Sequence, residues 1–177
     1  MSLIAEAKEF ATLKHAYQFR KFSGEKYIEH PKRVAQIIIK YKDSSQLDKL
    51  IAASLLHDVV EDTDTDIPTI TNLFGDLVGQ LVSEVTSIKG YKDKANYLSD
   101  KMVGMRSWSL TIKLADRLDN VSDLRHTSSM FRRNYILETR TIISNLILKR
   151  DYLTPTHLQI IHDILKEVNG AAKIDLL

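Results

Sequence analysis

The sequence predicts an all-helical fold in a single domain, and three observations carry that expectation. Apolar residues recur at intervals of three and four along most of the chain, the period of a helix that buries one face. Only three prolines and six glycines punctuate the 177 residues, so little interrupts that period. With 44% hydrophobic and 27% charged residues, the chain is long enough for one buried core and too balanced in composition for disorder. No internal repeat, low-complexity tract or linker divides it, and residues 1–177 are read as one domain.

Taken in order, helices are expected over roughly residues 2–20, 31–42, 45–61, 67–88, 93–104, 108–125, 131–150 and 155–168. The first rests on the three-and-four period alone. The second opens at Pro31, which suits a first turn because proline has no N–H to leave unbonded there. The third carries the stripe Leu47, Leu50, Ile51 and Ser54. The acidic stretch "EDTDTDIPT" after it reads as a loop at a helix end, and the helices at 67–88 and 93–104 return to the same period. The helix over 108–125 is marked by Leu114, Leu118 and Val121. The one over 131–150 again rests on period, and the last starts at Pro155 behind Thr154 as N-cap.

Composition narrows the function classes. The absence of cysteine removes disulfides, thiolate nucleophiles and Cys-ligated zinc, so any metal must sit on His, Asp or Glu. A net charge of +2 gives no argument for a nucleic-acid partner. No apolar run reaches transmembrane length, and "MSLIAEAKEF" is acidic where a signal peptide would be basic, so a cytosolic protein without a membrane partner is expected.

The chemistry concentrates in "SLLHDVVEDTDTD", residues 54–66. Continuing the stripe of the third helix leads to His57, Asp58, Glu61 and Asp62, so the buried face runs into charge. Buried carboxylates need a compensating cation or proton, which points to an inward metal pocket; a solvated, fraying helix end is the alternative. Partner ligands decide between them. His30 stands beside Pro31 in "EKYIEHPKRVAQIII", and Asp116 lies in "LTIKLADRLDNVSDL", so two histidines and two aspartates could form an N/O site. Singly, His30 could be a turn residue, and Asp116, off the Leu114 stripe, could pair with Lys113 or Arg117 at the surface. A second dipeptide, His162-Asp163, sits beside the ordinary stripe Leu158, Ile161, Leu165 and Val168, without an acidic pair after it, and reads as structural, as do His15, His126 and His157.

The ordered set His30, His57-Asp58, Asp116 resembles the H…HD…D signature of the HD-domain metal-dependent phosphohydrolases, an all-helical superfamily. More narrowly, "GEKYIEHPKRVA", "AASLLHDVVEDTDT" and "IKLADRLDNVSDL" are together similar to the hydrolase domain of the RelA/SpoT homologues, whose members remove the 3′-pyrophosphate from ppGpp and pppGpp in the stringent response. The resemblance covers roughly residues 1–165 and implies an HD-domain helical bundle. It implies Mn²⁺ on His30, His57, Asp58 and Asp116, although the mixed donor set leaves other divalent first-row metals open. It implies that Glu61 and Asp62, one turn beyond the HD dipeptide, are required for hydrolysis. It further implies substrate contacts: Arg20 on the base and Lys21 near phosphate, both at the end of the first helix; Asn120 on the ribose; and Tyr135, in "FRRNYILETR", lining the nucleotide pocket. Asp123 departs from the hydroxyl residue of many long-form members. As the chain carries no synthetase or regulatory module after residue 177, a small stand-alone alarmone hydrolase is expected. An HD phosphohydrolase acting on another nucleotide, such as a nucleoside monophosphate or a phosphorylated dinucleotide cofactor, is the alternative. A non-catalytic binding module is disfavoured by the intact residue set. The partner implied is a small guanosine nucleotide; the oligomeric state stays open, a homodimer included.

Overall fold

A computed structural model describes residues 1–41 and 44–174; Lys42, the expected last residue of the second helix, lies outside them. The described residues form helices and no strand, with one isolated bridge pairing Phe19 and Lys26. The chain divides into two compact units, Met1–Ile88 and Lys89–Leu177.

The first unit contains α1 (Leu3–Lys14), α2 (Glu29–Tyr41), α3 (Leu47–Leu56), α4 (Val59–Asp62), α5 (Ile67–Phe74) and α6 (Asp76–Val85). Its centre is α3, which packs against α1, α2 and α6. Every residue from Leu50 to Leu56 is buried, as expected for a helix surrounded by others rather than lying on a surface. Local caps set the ends: Ser2 Oγ accepts from the Ala5 N–H at 3.3 Å, and the Asp66 carboxylate accepts from the Thr69 N–H at 3.0 Å.

Three expected helices are divided or shortened. The first stops at Lys14 instead of reaching residue 20, because the next segment turns back on itself. There the Arg20 N–H donates to the Glu25 carbonyl at 2.8 Å, the Tyr27 N–H to the Gln18 carbonyl at 2.9 Å, and Gly24 takes a left-handed φ of 72°. Arg20 and Lys21 therefore sit on a tight hairpin, not at a helix end. The third helix yields at His57 and Asp58 before α4 resumes. The expected 67–88 helix breaks at Gly75, whose φ of 88° no α-helix contains. The two pieces then fold together, and Gly79 lets α6 approach so closely that an added Cβ would lie 3.1 Å from the Thr71 Cα.

The second unit contains α7 (Lys94–Gly104), α8 (Ser107–Ser122), a 3-10 turn at Asp123–His126, α9 (Ser129–Lys149) and α10 (Pro155–Ile174). Here α8 is the buried element: residues Ser109 to Asp119 and Val121 are all covered, charged ones included. It packs on α10 and α9, and α7 packs on α9. Two polar side chains tie the helices together. His157 is fully buried, its Nδ1 accepts from the Thr154 N–H at 3.2 Å, and its Nε2 therefore donates to the Ser107 carbonyl at 2.9 Å. Arg150 Nη1 donates to the carbonyls of Val103 (2.7 Å) and Met105 (2.9 Å) at the end of α7. Thr154 Oγ1 accepts from the His157 N–H at 3.2 Å, the capping role expected of it ahead of Pro155.

Candidate metal centre and substrate residues

His30 enters from the first turn of α2, and His57 and Asp58 from the break after α3. All three are buried, and one ligand atom from each falls within 4.8 Å of the others. The Asp58 Oδ2 is the common point, 3.1 Å from His57 Nε2 and 3.5 Å from His30 Nε2. His57 Nδ1 lies 2.8 Å from the Ser54 carbonyl, which can only accept, so Nδ1 carries a proton. In the neutral ring Nε2 then presents a lone pair to a carboxylate oxygen, an arrangement that calls for a proton or a metal ion between them. The donor set therefore fits a divalent ion: two imidazoles and a carboxylate, one histidine already oriented by a backbone carbonyl. Burial pushes the Asp58 carboxyl upward, but where a proton rather than a metal ion lies between the groups, the positive charge of His57 and hydrogen bonds from the two histidines outweigh burial and hold Asp58 well below the usual carboxylate range.

Glu61 and Asp62 occupy α4, and the Asp62 N–H donates to the Asp58 carbonyl at 2.9 Å, so the expected one-turn spacing survives the break. Their surroundings differ. The Glu61 carboxylate accepts from the Ser87 N–H at 2.9 Å. Asp62 instead meets the Tyr27 hydroxyl at 3.1 Å, and that hydroxyl also donates to Asp58 Oδ2 at 2.7 Å. The Arg20 guanidinium lies 6.0 Å from the Tyr27 ring centroid, while Lys21 is exposed beside Phe22.

Asp116, Asn120 and Tyr135 belong to the second unit. There Asp116 Oδ2 pairs with Lys113 Nζ at 3.1 Å, and Asn120 Nδ2 donates to Asp116 Oδ1 at 2.5 Å. A pairing of Asp116 with Lys113 was open from the sequence, but as a surface pair, and both residues are buried. Arg117, also buried, donates to Glu138 at 2.9 Å and lies over the Tyr135 ring at 4.8 Å from its centroid. Burial pushes the Tyr135 hydroxyl up to about 12, with Arg117 opposing and Asp116 and Glu138 adding to the rise.

Sequence reasoning missed Tyr27 and Gln18 in the first unit and the burial of Lys113 and Arg117 in the second. A signal existed for Lys113, three residues before Asp116, a spacing that brings side chains to one face of a helix, whereas Tyr27 precedes α2 and had no such signal. His162 is exposed and His15 touches Gln18 and Tyr27, neither within the His30–His57–Asp58 cluster.

The HD-domain family model matches residues 7–151. A protein of Aquifex aeolicus named guanosine-3′,5′-bis(diphosphate) 3′-pyrophosphohydrolase is 38% identical over 152 residues, 81% of this chain and 21% of that protein. The chain thus spans about a fifth of the length of such long relatives. The human guanosine-3′,5′-bis(diphosphate) 3′-pyrophosphohydrolase MESH1 is 36% identical over 124 residues, 68% of this chain and 69% of that protein. A solved structure described as a metazoan orthologue of SpoT that hydrolyses ppGpp superposes with a TM-score of 0.79 at 27% identity, covering 94% of this chain and 96% of that one. The same fold recurs in a Listeria monocytogenes protein with a TM-score of 0.67 at 23% identity. With that agreement in sequence and in fold, the chain belongs to the HD-domain family, in the branch of the RelA/SpoT homologues.

Proposed function

We propose that the chain removes the 3′-pyrophosphate of ppGpp and pppGpp, releasing GDP or GTP and pyrophosphate. The observation that carries this is the buried His30–His57–Asp58 cluster with Glu61 and Asp62 on the following turn, in a chain related to named ppGpp hydrolases. His30, His57 and Asp58 are the metal ligands in this reading, with Asp116 the fourth and Mn²⁺ the ion. When bound, a divalent ion supplies Lewis-acid polarisation of a phosphoryl oxygen and a more acidic water. The remaining work falls to side chains. Asp62 and Glu61 orient the attacking water and take its proton as its oxygen bonds to the phosphorus next to the ribose. The P–O3′ bond breaks, and the 3′-oxygen collects a proton as pyrophosphate leaves. Arg20 offers a planar cation for the guanine and Lys21 a point charge for phosphate, while Asn120 and Tyr135 contact the nucleoside. The reading of residues 1–177 as one HD domain, in the cytosol, belongs to the same proposal; the family match runs through both units, and no described helix is long and apolar enough to cross a membrane.

The test is turnover of ppGpp with Mn²⁺, measured as released pyrophosphate, beside a nucleoside monophosphate and NADPH. Pyrophosphate from ppGpp is expected. Phosphate released from either of the other two, with ppGpp left intact, would replace this reading by a phosphohydrolase of another nucleotide.

A further inference from the structure

The turn that carries Asp62 is fastened from two sides by residues of the hairpin segment after α1. Gln18 Nε2 donates to the Asp62 main-chain carbonyl at 2.9 Å. Because that amide nitrogen is spent as donor, the Gln18 oxygen accepts from His15 Nδ1 at 2.7 Å, and the His15 ring in turn lies tilted against the Tyr27 ring, centroids 4.8 Å apart. Tyr27 also meets the His30 ring in a T-shaped contact, centroids 5.9 Å apart. The ring thus contacts two buried histidines, and its hydroxyl sits 2.7 Å from Asp58 Oδ2 and 3.1 Å from Asp62 Oδ2. One hydroxyl, with a single proton, reaches a carboxylate of the metal cluster and a carboxylate of the following turn. Two like-charged carboxylates would otherwise repel.

We infer that Tyr27 is a positioning residue: its hydroxyl sets the Asp62 carboxylate against Asp58, so that the water-orienting group and the metal ligand keep one geometry. The inference rests on the hydrolase reading above and adds a residue to it. Tyr27 does not touch the reacting atoms in this account; it acts through Asp62 and Asp58. Its own place depends on the His15 and His30 rings, which explains why an aromatic ring, rather than a serine or threonine, carries the hydroxyl there.

Tyr27→Phe deletes the hydroxyl and leaves the ring in contact with both histidines, so it separates the bridge from the packing. The experiment compares the wild-type chain, Tyr27→Phe, Asp62→Asn and the double variant on ppGpp at saturating Mn²⁺, and measures Mn²⁺ affinity of each by calorimetry. Tyr27→Phe should lower kcat about 10-fold or more with KM within about 3-fold, and weaken Mn²⁺ binding about 10-fold, as loss of an outer-shell partner does. The double variant should be no more than about 2-fold slower than Asp62→Asn alone, because a residue that acts through Asp62 has nothing left to position. A Tyr27→Phe kcat within about 2-fold of wild type, or losses that multiply in the double variant, would overturn the link to Asp62. Unchanged Mn²⁺ affinity in Tyr27→Phe would overturn the link to Asp58. If the wild type releases no pyrophosphate from ppGpp, the hydrolase reading and the Asp62 link fail together, while the Mn²⁺ arm still decides the contact with Asp58.

Discussion

Single side chains in this protein take their roles from neighbours that are far away in sequence. Glu61 and Asp62 are adjacent, yet one accepts from the Ser87 N–H and the other meets Tyr27, so their substitutions should differ. Asp62→Asn is expected to keep metal while turnover falls about 10²-fold or more, the loss expected for a general acid–base group. Glu61→Gln keeps an oxygen that can accept from Ser87, whereas Glu61→Ala does not. If Ala lowers the thermal midpoint and Gln does not, Glu61 also anchors the segment after α6; equal midpoints would remove that structural role. A second expectation concerns Tyr135, whose hydroxyl is raised to about 12 by burial first, against the opposing Arg117 charge. The raised value means that the folded state favours the neutral phenol. Its contribution is fully present below the unfolded value of about 10 and is lost as pH rises from there through 12. An alkaline absorbance titration of wild type minus Tyr135→Phe should isolate one of the seven tyrosines with its midpoint near 12. A difference curve centred near the ordinary phenol value, about 10, would contradict this.

At the scale of elements, local signals located helix starts well and helix ends poorly. Thr154, read as the cap of the last helix, accepts a backbone N–H, while Ser2, Asp66, Asp93 and Ser128 cap helices whose starts were read from period. Where a helix stops was decided by what it meets. Residues 15–20 keep a helical pattern of residue types but turn back to place Gln18 and Tyr27 against the His57–Asp62 turn. Asp116 stood off the leucine stripe of its helix, and stripe logic failed because α8 is covered on every side, so there was no polar face for it to occupy. The α5–α6 contact offers an element-scale test. A Cβ on Gly79 would collide with Thr71 Oγ1 and lie 3.0 Å from Thr71 Cβ, so Gly79→Ala should force the helices apart and cost about 1–3 kcal/mol in urea denaturation. Thr71→Ala on that background should recover part of the loss, since it removes the nearer atom. A neutral Gly79→Ala would show that α5 and α6 adjust freely.

For the whole molecule, a metal held by the native fold and not by the unfolded chain must raise stability by mass action. Divalent ion at about 100 times its dissociation constant contributes about 2.7 kcal/mol, which corresponds to roughly 5–10 °C in the midpoint of a chain this long. Addition of a chelator should reverse the shift, and His57→Ala should show neither the gain nor the reversal; an equal shift in His57→Ala would place the ion elsewhere. By itself the sequence determined the helical class, most helix starts, that a metal in a chain without cysteine must sit on His, Asp or Glu, and, through three separated motifs, the family. These are properties of local pattern: period, caps and the order of residue types along the chain. Tertiary structure alone decided that Tyr27 reaches Asp58 across 31 positions and that Lys113, Asp116 and Arg117 are buried. The reason is physical: hydrogen bonding across a fold and the covering of a helix on all sides depend on residues distant in sequence, and no short window of the chain contains both partners.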